Sequence, residues 1–211
     1  MSLVSPVQIV NMALSHIGAK DTIESLDEAS VEARTGKVWY NHARLSCLEA
    51  HDWTFARKRL ELALDEEDAP LDWDYRYQYP SDCIVARRIV NFGLSSYNNW
   101  RVPYDNETDA IAFEVELAST GDRHTILTNQ AEAVLLYTRD ISDTYMFSNH
   151  FIHAMSYALA GYMAFKLTGK LAVKQLMEQN FVRTITQAAA INANEGIAKA
   201  PRDAECLRVR Q

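Results

Sequence analysis

Apolar residues change their spacing twice along this chain, and that restricts the fold more than any motif does. Up to about residue 53 they recur every three or four positions, the period of a helix. From about 54 to 140 they alternate with polar residues, the period of a strand, and from about Ser142 the helical spacing returns. One segment cannot satisfy both periods. The pattern therefore predicts an α+β fold: a helical bundle built from N- and C-terminal helices with an inserted antiparallel β subdomain. Residues 1–53 and 141–195 are assigned to the bundle, 54–140 to the β subdomain and 196–211 to a C-terminal arm. With 211 residues and 48% hydrophobic content the chain can bury a sizeable core. Seven Gly and five Pro are too few for a many-stranded all-β fold, which needs frequent turn residues.

Local signals fill in the elements. Ser5 is placed to N-cap a first helix, with Pro6 at its first position, Gly18 just past its end, and Val7, Val10, Leu14 and Ile17 on one face. Ser25 to Glu28 has capping-box spacing, and Ser30 is a second candidate cap. The helix that follows is expected to reach about His51, with a stripe of Val31, Val38, Leu45 and Leu48 and His42 on the same side. Strands are predicted over residues 60–64, along Trp73, Tyr75, Tyr77 and Tyr79, and over 83–90. A hairpin of 113–117 and 125–128 turns at 119–122, and a last strand covers 133–138. Residues 91–109 read as a long loop. Beyond Ser142, Phe147, Phe151, Ala154, Ala158 and Phe165 line one helix face, and Ile152, Met155, Leu159 and Met163 line the next. A helix apolar on two faces belongs inside a bundle, and Gly169 closes it. The final helix, from Lys170 to about Asn194, carries Val173, Met177, Phe181, Ile185 and Ala188, and Gly196 ends it.

Charge and cysteine usage exclude some functions. Lys and Arg number 21 against 28 Asp and Glu, a net charge of −7, so the chain is a poor candidate for wrapping nucleic acid. Cys47, Cys83 and Cys206 form no CxxC pair, so no cysteine zinc site is legible, and their odd number fits a reducing compartment. The opening residues lack the basic and apolar regions of a secretion signal. The most apolar stretch, 151–167, is shorter than the ~20 residues of a membrane span and contains His153, Ser156 and Lys166, so no membrane partner is expected.

Few residue sets suggest chemistry. His150 and His153 stand one helical turn apart, close in sequence to Asp140 and Asp143, which together could form a two-His, one-carboxylate metal site. Cys47 lies four residues before His51, but a dyad there has no oxyanion hole, and a packed cysteine is the better reading. Arg57-Lys58-Arg59, beside Trp53 and Phe55, could contact phosphates, or could be a charged strand edge. The Trp73–Tyr79 stripe could stack bases or sugars, but core packing is the better reading. Glu66-Glu67, Asp72 and Asp74 are expected to be solvated. No GxSxG, GxGxxG or P-loop pattern occurs. The expectation is a protein that is not an enzyme, with no catalytic, cofactor-binding or metal residues and no cofactor.

Several strings, in order, do resemble a known family. Val10-Asn11-Met12-Ala13-Leu14-Ser15-His16-Ile17-Gly18 precedes Ile23-Glu24-Ser25-Leu26-Asp27-Glu28, followed by Glu32-Ala33, Arg44-Leu45 and His51-Asp52-Trp53-Thr54-Phe55-Ala56. Together they resemble the opening of the tail tubular protein A family, the head-to-tail adaptors of short-tailed bacteriophages. Tyr77-Gln78-Tyr79-Pro80-Ser81-Asp82-Cys83 and residues 151–169 also resemble tail adaptors. The likeness covers most of residues 7–170.

The resemblance implies a structural virion protein: a ring subunit joining the portal to the tail nozzle around the DNA channel. Its expected partners are further copies of itself, the portal protein, the tail nozzle protein, and passing DNA bound without sequence specificity. Its expected location is the virion tail, reached after assembly in the bacterial host cytoplasm. An acidic chain suits a lumen through which DNA must slide. Two other readings are a small metal-dependent enzyme using His150 and His153, and a nucleic-acid-binding accessory protein using Arg57 to Arg59. Ile197, Leu207 and Val209 interleave with Arg202, Arg208 and Arg210, so the arm has a pattern suited to lying across an acidic neighbouring subunit.

Overall fold

A computed structural model describes residues 4–90 and 111–195. They form an α+β protein with helices α1 (Pro6–His16), α2 (Val31–Glu49), α3 (Asn149–Thr168) and α4 (Leu171–Ala193). Between α2 and α3 run strands β1 (Arg57–Glu61), β2 (Tyr75–Gln78), β3 (Cys83–Val90), β4 (Phe113–Leu117), β5 (His124–Thr128) and β6 (Val134–Arg139). The strands make two antiparallel three-stranded sheets, ordered β1-β6-β3 and β2-β5-β4. The expected loop at 91–109 and the arm at 196–211 lie outside the described residues.

The chain divides into two compact units. One comprises residues up to Lys58 together with Ser81–Arg87 and Tyr137–Ala193; the other comprises Arg59–Pro80 and the described part of Arg88–Leu136. Residues 54–58, 81–87 and 137–140, which lie within the β stretch by sequence, thus belong to the helical unit.

Within the helical unit, α3 is central and packs on α1, α2 and α4. Its sequence explains this position: Phe151, Ile152, Met155, Leu159 and Met163 are all buried. Serines start three of the helices. Ser5 forms a capping box with Gln8, Ser30 caps α2 and Ser148 caps α3, each accepting from a backbone N–H that the helix leaves unpaired. Gly169 ends α3 at φ +66°, a left-handed conformation suited to glycine. Ser25 to Glu28 is a turn ahead of α2; the Glu28 carboxylate accepts from the backbone N–H groups of Glu24 (3.0 Å) and Ser25 (3.4 Å).

The stripe expected to bury α2 is corrected. Val31 and Val38 face outward, 47% and 70% exposed, and Leu45 is half-buried. The buried side is instead Ala33, Thr35, Gly36, Tyr40, Ala43, Arg44, Cys47 and Leu48. The reason is close packing. A Cβ at Gly36 would lie 2.8 Å from Cγ1 of Val10, so α1 approaches too closely there for a larger residue. Phe165, placed by its spacing on a buried face of α3, is likewise exposed.

In the second unit, β5 pairs with both β2 and β4, with Tyr77 and Val115 each opposite Ile126. Tyr77 is buried and its hydroxyl donates to the Gln130 carbonyl at 2.9 Å. Arg76, one position away, is also buried and pairs with Glu67 at 2.8 Å. Glu67 further accepts from the backbone N–H and hydroxyl of Ser119, and Asp65 takes two bonds from Arg123. The acidic run is therefore not simply solvated: Glu67 neutralises an arginine that the sheet buries.

Candidate functional site

The structure separates most residue sets that sequence proximity had grouped. Asp140, on the strand side of His150, is held by Arg44, which also donates to the Ile141 carbonyl at 2.7 Å. Asp143 caps a short 3-10 turn, accepting from Tyr145 N–H at 3.0 Å. Both candidate carboxylates are thus committed elsewhere. His150 and His153 are exposed and line a shallow cleft of about 340 Å³ with Thr184, Gln187, Ala188 and Ile191. Among the described residues no group of three His, Cys, Asp or Glu side chains is placed to hold a metal ion.

His153 instead meets His16, from the last turn of α1, with ring centroids 6.0 Å apart. His16 stacks on Tyr157 at 4.0 Å, and its Nε2 lies 3.0 Å from the Ser156 hydroxyl. That hydroxyl donates its proton to the His153 carbonyl at 2.7 Å. It can only accept from His16, so His16 carries its proton on Nε2. Burial, and secondarily the neighbouring His153, hold His16 below the ordinary histidine pKa.

The Cys47–His51 pair does not form a nucleophilic site. Cys47 is completely buried, which pushes its thiol pKa up, and its carbonyl accepts from Trp53 Nε1 at 2.8 Å. The string His51 to Ala56 is a tie between elements. Trp53 packs edge-on to Phe151, and Asn192 of α4 accepts from Thr54 N–H (3.0 Å) and donates to the Asp52 carbonyl (3.2 Å). In the basic cluster, Arg57 pairs with Asp52 at 2.9 Å and Lys58 with Asp82 at 2.8 Å, so these charges are neutralised locally. The Tyr stripe is no open stacking platform: Tyr77 is buried, and Trp73, Tyr75 and Tyr79 are each partly covered.

The exposed large apolar residues described in the helical unit include Val31 and Val38 on α2 and Leu171, Leu176, Val182 and Ile191 on α4, besides Met12, Tyr145, Met146 and Phe165. On α2, Val31, Val38, His42 and Leu45 share one side. Beside it Trp39 and His42 pack on Tyr162 of α3 at 5.1 and 5.0 Å. On α4, Leu171, Leu176 and Val182 are 57%, 52% and 62% exposed. Lys174 and Glu178 lie 3.6 Å apart on α4, Arg183 bonds Asn180, and residues 184–193 contain no Asp, Glu, Lys or Arg. The charges of α4, Lys174, Glu178 and Arg183, thus precede residue 184, and the exposed residues beyond them are Thr186, Gln187, Ala190, Ile191 and Ala193.

The sequence reading found the inner stripe of α4, where Met177 and Ala188 are buried and Val173, Phe181 and Ile185 partly so. It did not mark Leu171, Leu176 and Val182, whose positions follow no single helical stripe. Among the described residues, no helix is long and apolar enough to cross a membrane. Compared with the known protein families and with curated proteins, the chain matches none of either.

Proposed function

We propose that this chain is a structural virion protein, a ring-forming head-to-tail adaptor that joins the portal to the tail nozzle around the DNA channel. It acts through surfaces and not through catalysis, and its place is the virion tail. The observation that carries the reading is the set of exposed apolar residues on α2 (Val31, Val38) and α4 (Leu171, Leu176, Val182) in a chain of net charge −7. Exposed apolar side chains offer contact area to further copies, and the acidic net charge disfavours tight DNA binding, as a channel wall requires. The ordered strings of the resemblance add support. Two of their distinctive residues have structural roles: Asn11 clamps the Ile23 backbone through two 2.9 Å bonds, and Trp53 fills the core.

Light scattering over a range of concentrations, alone and with portal rings, tests this reading. High oligomers, or uptake onto the portal, are expected. A protein that stays monomeric under all conditions while binding stoichiometric metal through His150 and His153 would favour the enzyme reading. Salt-dependent DNA binding lost on neutralising Arg57 to Arg59 would favour the nucleic-acid reading.

A further inference from the structure

We infer that residues 207–211 of one copy add as an antiparallel strand to the outer edge of β4 on the next copy. The inference rests on the ring reading and names the contact that ties neighbouring subunits together.

The two edges of the β2-β5-β4 sheet differ. The β2 edge is closed by residues 63–65: Gln78 N–H donates to the Ala63 carbonyl and Asp65 N–H to the Arg76 carbonyl, both at 2.9 Å. On β4, Ala118 N–H donates to the Arg123 carbonyl at 2.8 Å, and the Glu116 and Ala112 carbonyls accept from the hydroxyls of Thr125 and Thr128. Even-numbered residues therefore turn their backbone groups toward β5. In an antiparallel ladder the alternate residues, Phe113, Val115 and Leu117, present theirs to the other side. Ile111 bridges Ile89 there, and among the described residues nothing pairs with the edge beyond it. Such an edge is a template for a further strand.

Side chains select the occupant. Phe113, Val115 and Leu117 alternate with Glu114 and Glu116, and residues 114–117 are all exposed. Neither glutamate has an ion-pair partner among the described residues. The β4 of a second copy fits badly, because Glu would face Glu. A matching strand alternates apolar residues with cations, and Leu207-Arg208-Val209-Arg210 has that order. With Val209 opposite Val115, antiparallel pairing sets Leu207 against Leu117, Arg208 against Glu116 and Arg210 against Glu114. Affinity comes from the main-chain bonds of the edge, and the charge pairs set the register.

Reach and symmetry favour exchange between copies. Residues 196–207 span up to about 40 Å when extended, enough to cross to a neighbour. Pairing within one chain leaves copies unlinked. Exchange gives every subunit one arm and one edge, the head-to-tail arrangement that closes a ring.

The test uses full-length protein. Arg208 and Glu116 would form a pair without mutual backbone bonds, where Cα atoms lie about 4.5 Å apart and a disulfide fits. Glu116→Cys with Arg208→Cys, in a Cys206→Ser background, should on mild oxidation give a gel ladder at multiples of 23.9 kDa that reductant collapses. Glu116→Cys alone in that background should give none. Separately, Glu114→Arg with Glu116→Arg, or Arg208→Glu with Arg210→Glu, should raise the concentration for half-assembly in sedimentation by about tenfold. All four changes in one chain should restore it. Thermal melts confirm that each variant is folded.

A fast-migrating cross-linked monomer would overturn exchange between copies. Rings that form without any cross-link, or a fourfold variant no better than the twofold ones, would overturn the inference while leaving the adaptor reading standing. Wild type that is monomeric at every concentration, with and without portal rings, would overturn both.

Discussion

Arg87 should matter for stability far more than a partly exposed strand arginine usually does. Helix α2 ends without a left-handed glycine and without a basic residue in its last turn, so its final carbonyls have no local partner. The Arg87 guanidinium supplies one from β3, donating to the carbonyls of Glu49 (3.0 Å) and His51 (2.9 Å), with a longer contact to Leu48 (3.4 Å). Its Nε donates to the buried Thr138 hydroxyl at 2.9 Å. Hydrogen bonds to a charged group contribute roughly 1.5–3 kcal/mol each. Water can replace part of this at the surface-facing carbonyls, so Arg87→Ala should cost about 2–4 kcal/mol. For a protein of this size each kcal/mol lowers Tm by about 2–4 °C, so Tm should fall by about 4–16 °C. Urea unfolding followed by circular dichroism gives the free energy directly. Arg87→Lys keeps the charge but not the planar fork and should recover less than half of the loss. A cost below about 0.5 kcal/mol for the alanine variant, or a lysine variant equal to wild type, would refute the account of how α2 is terminated.

Three further outcomes follow from the same geometry. Gly36→Ala gains about 1 kcal/mol of helix propensity, but its Cβ meets the buried, β-branched Val10 at 2.8 Å; overpacking of ~1–3 kcal/mol should win, and chemical denaturation should show net destabilisation. Because His16 titrates below the ordinary histidine value when folded, its contribution is present above the unfolded value of about 6.5 and lost as pH falls from there through the lower folded value; His16→Gln should flatten stability against pH just below about 6.5. Cys47 should resist thiol reagents in the native protein and react only on unfolding, because burial both hides it and disfavours its thiolate; mass spectrometry of alkylated native protein checks this.

The helical and strand stretches were legible because their signals are local. Ser5, Pro6 and Gly18 bound α1, and Cys83 and Val90 bound β3, where the sequence puts them. Burial on α2 was not legible, because it depends on how closely α1 approaches. Gly36, Ala43 and Cys47 are poor hydrophobic markers but fit a narrow gap, so the stronger apolar residues Val31 and Val38 were assigned inward when they point out. The pairs that organise the structure span large separations: Arg44 with Asp140, Arg87 with the end of α2, Glu67 with Ser119, and Asp82 with Lys58 and Tyr137. No spacing rule connects such positions. The same limit explains why a metal site at His150 and His153 with Asp140 or Asp143 had to be weighed at all: adjacency in sequence was visible, and the competing partners Arg44 and Tyr145 N–H were not.

Electron micrographs of the purified protein mixed with portal rings test the adaptor assignment most directly. The account predicts closed rings, several subunits around, seated coaxially at one end of the portal with an open central channel. Portal rings with no added density at saturating protein, together with a monomeric protein in the same sample, would contradict it.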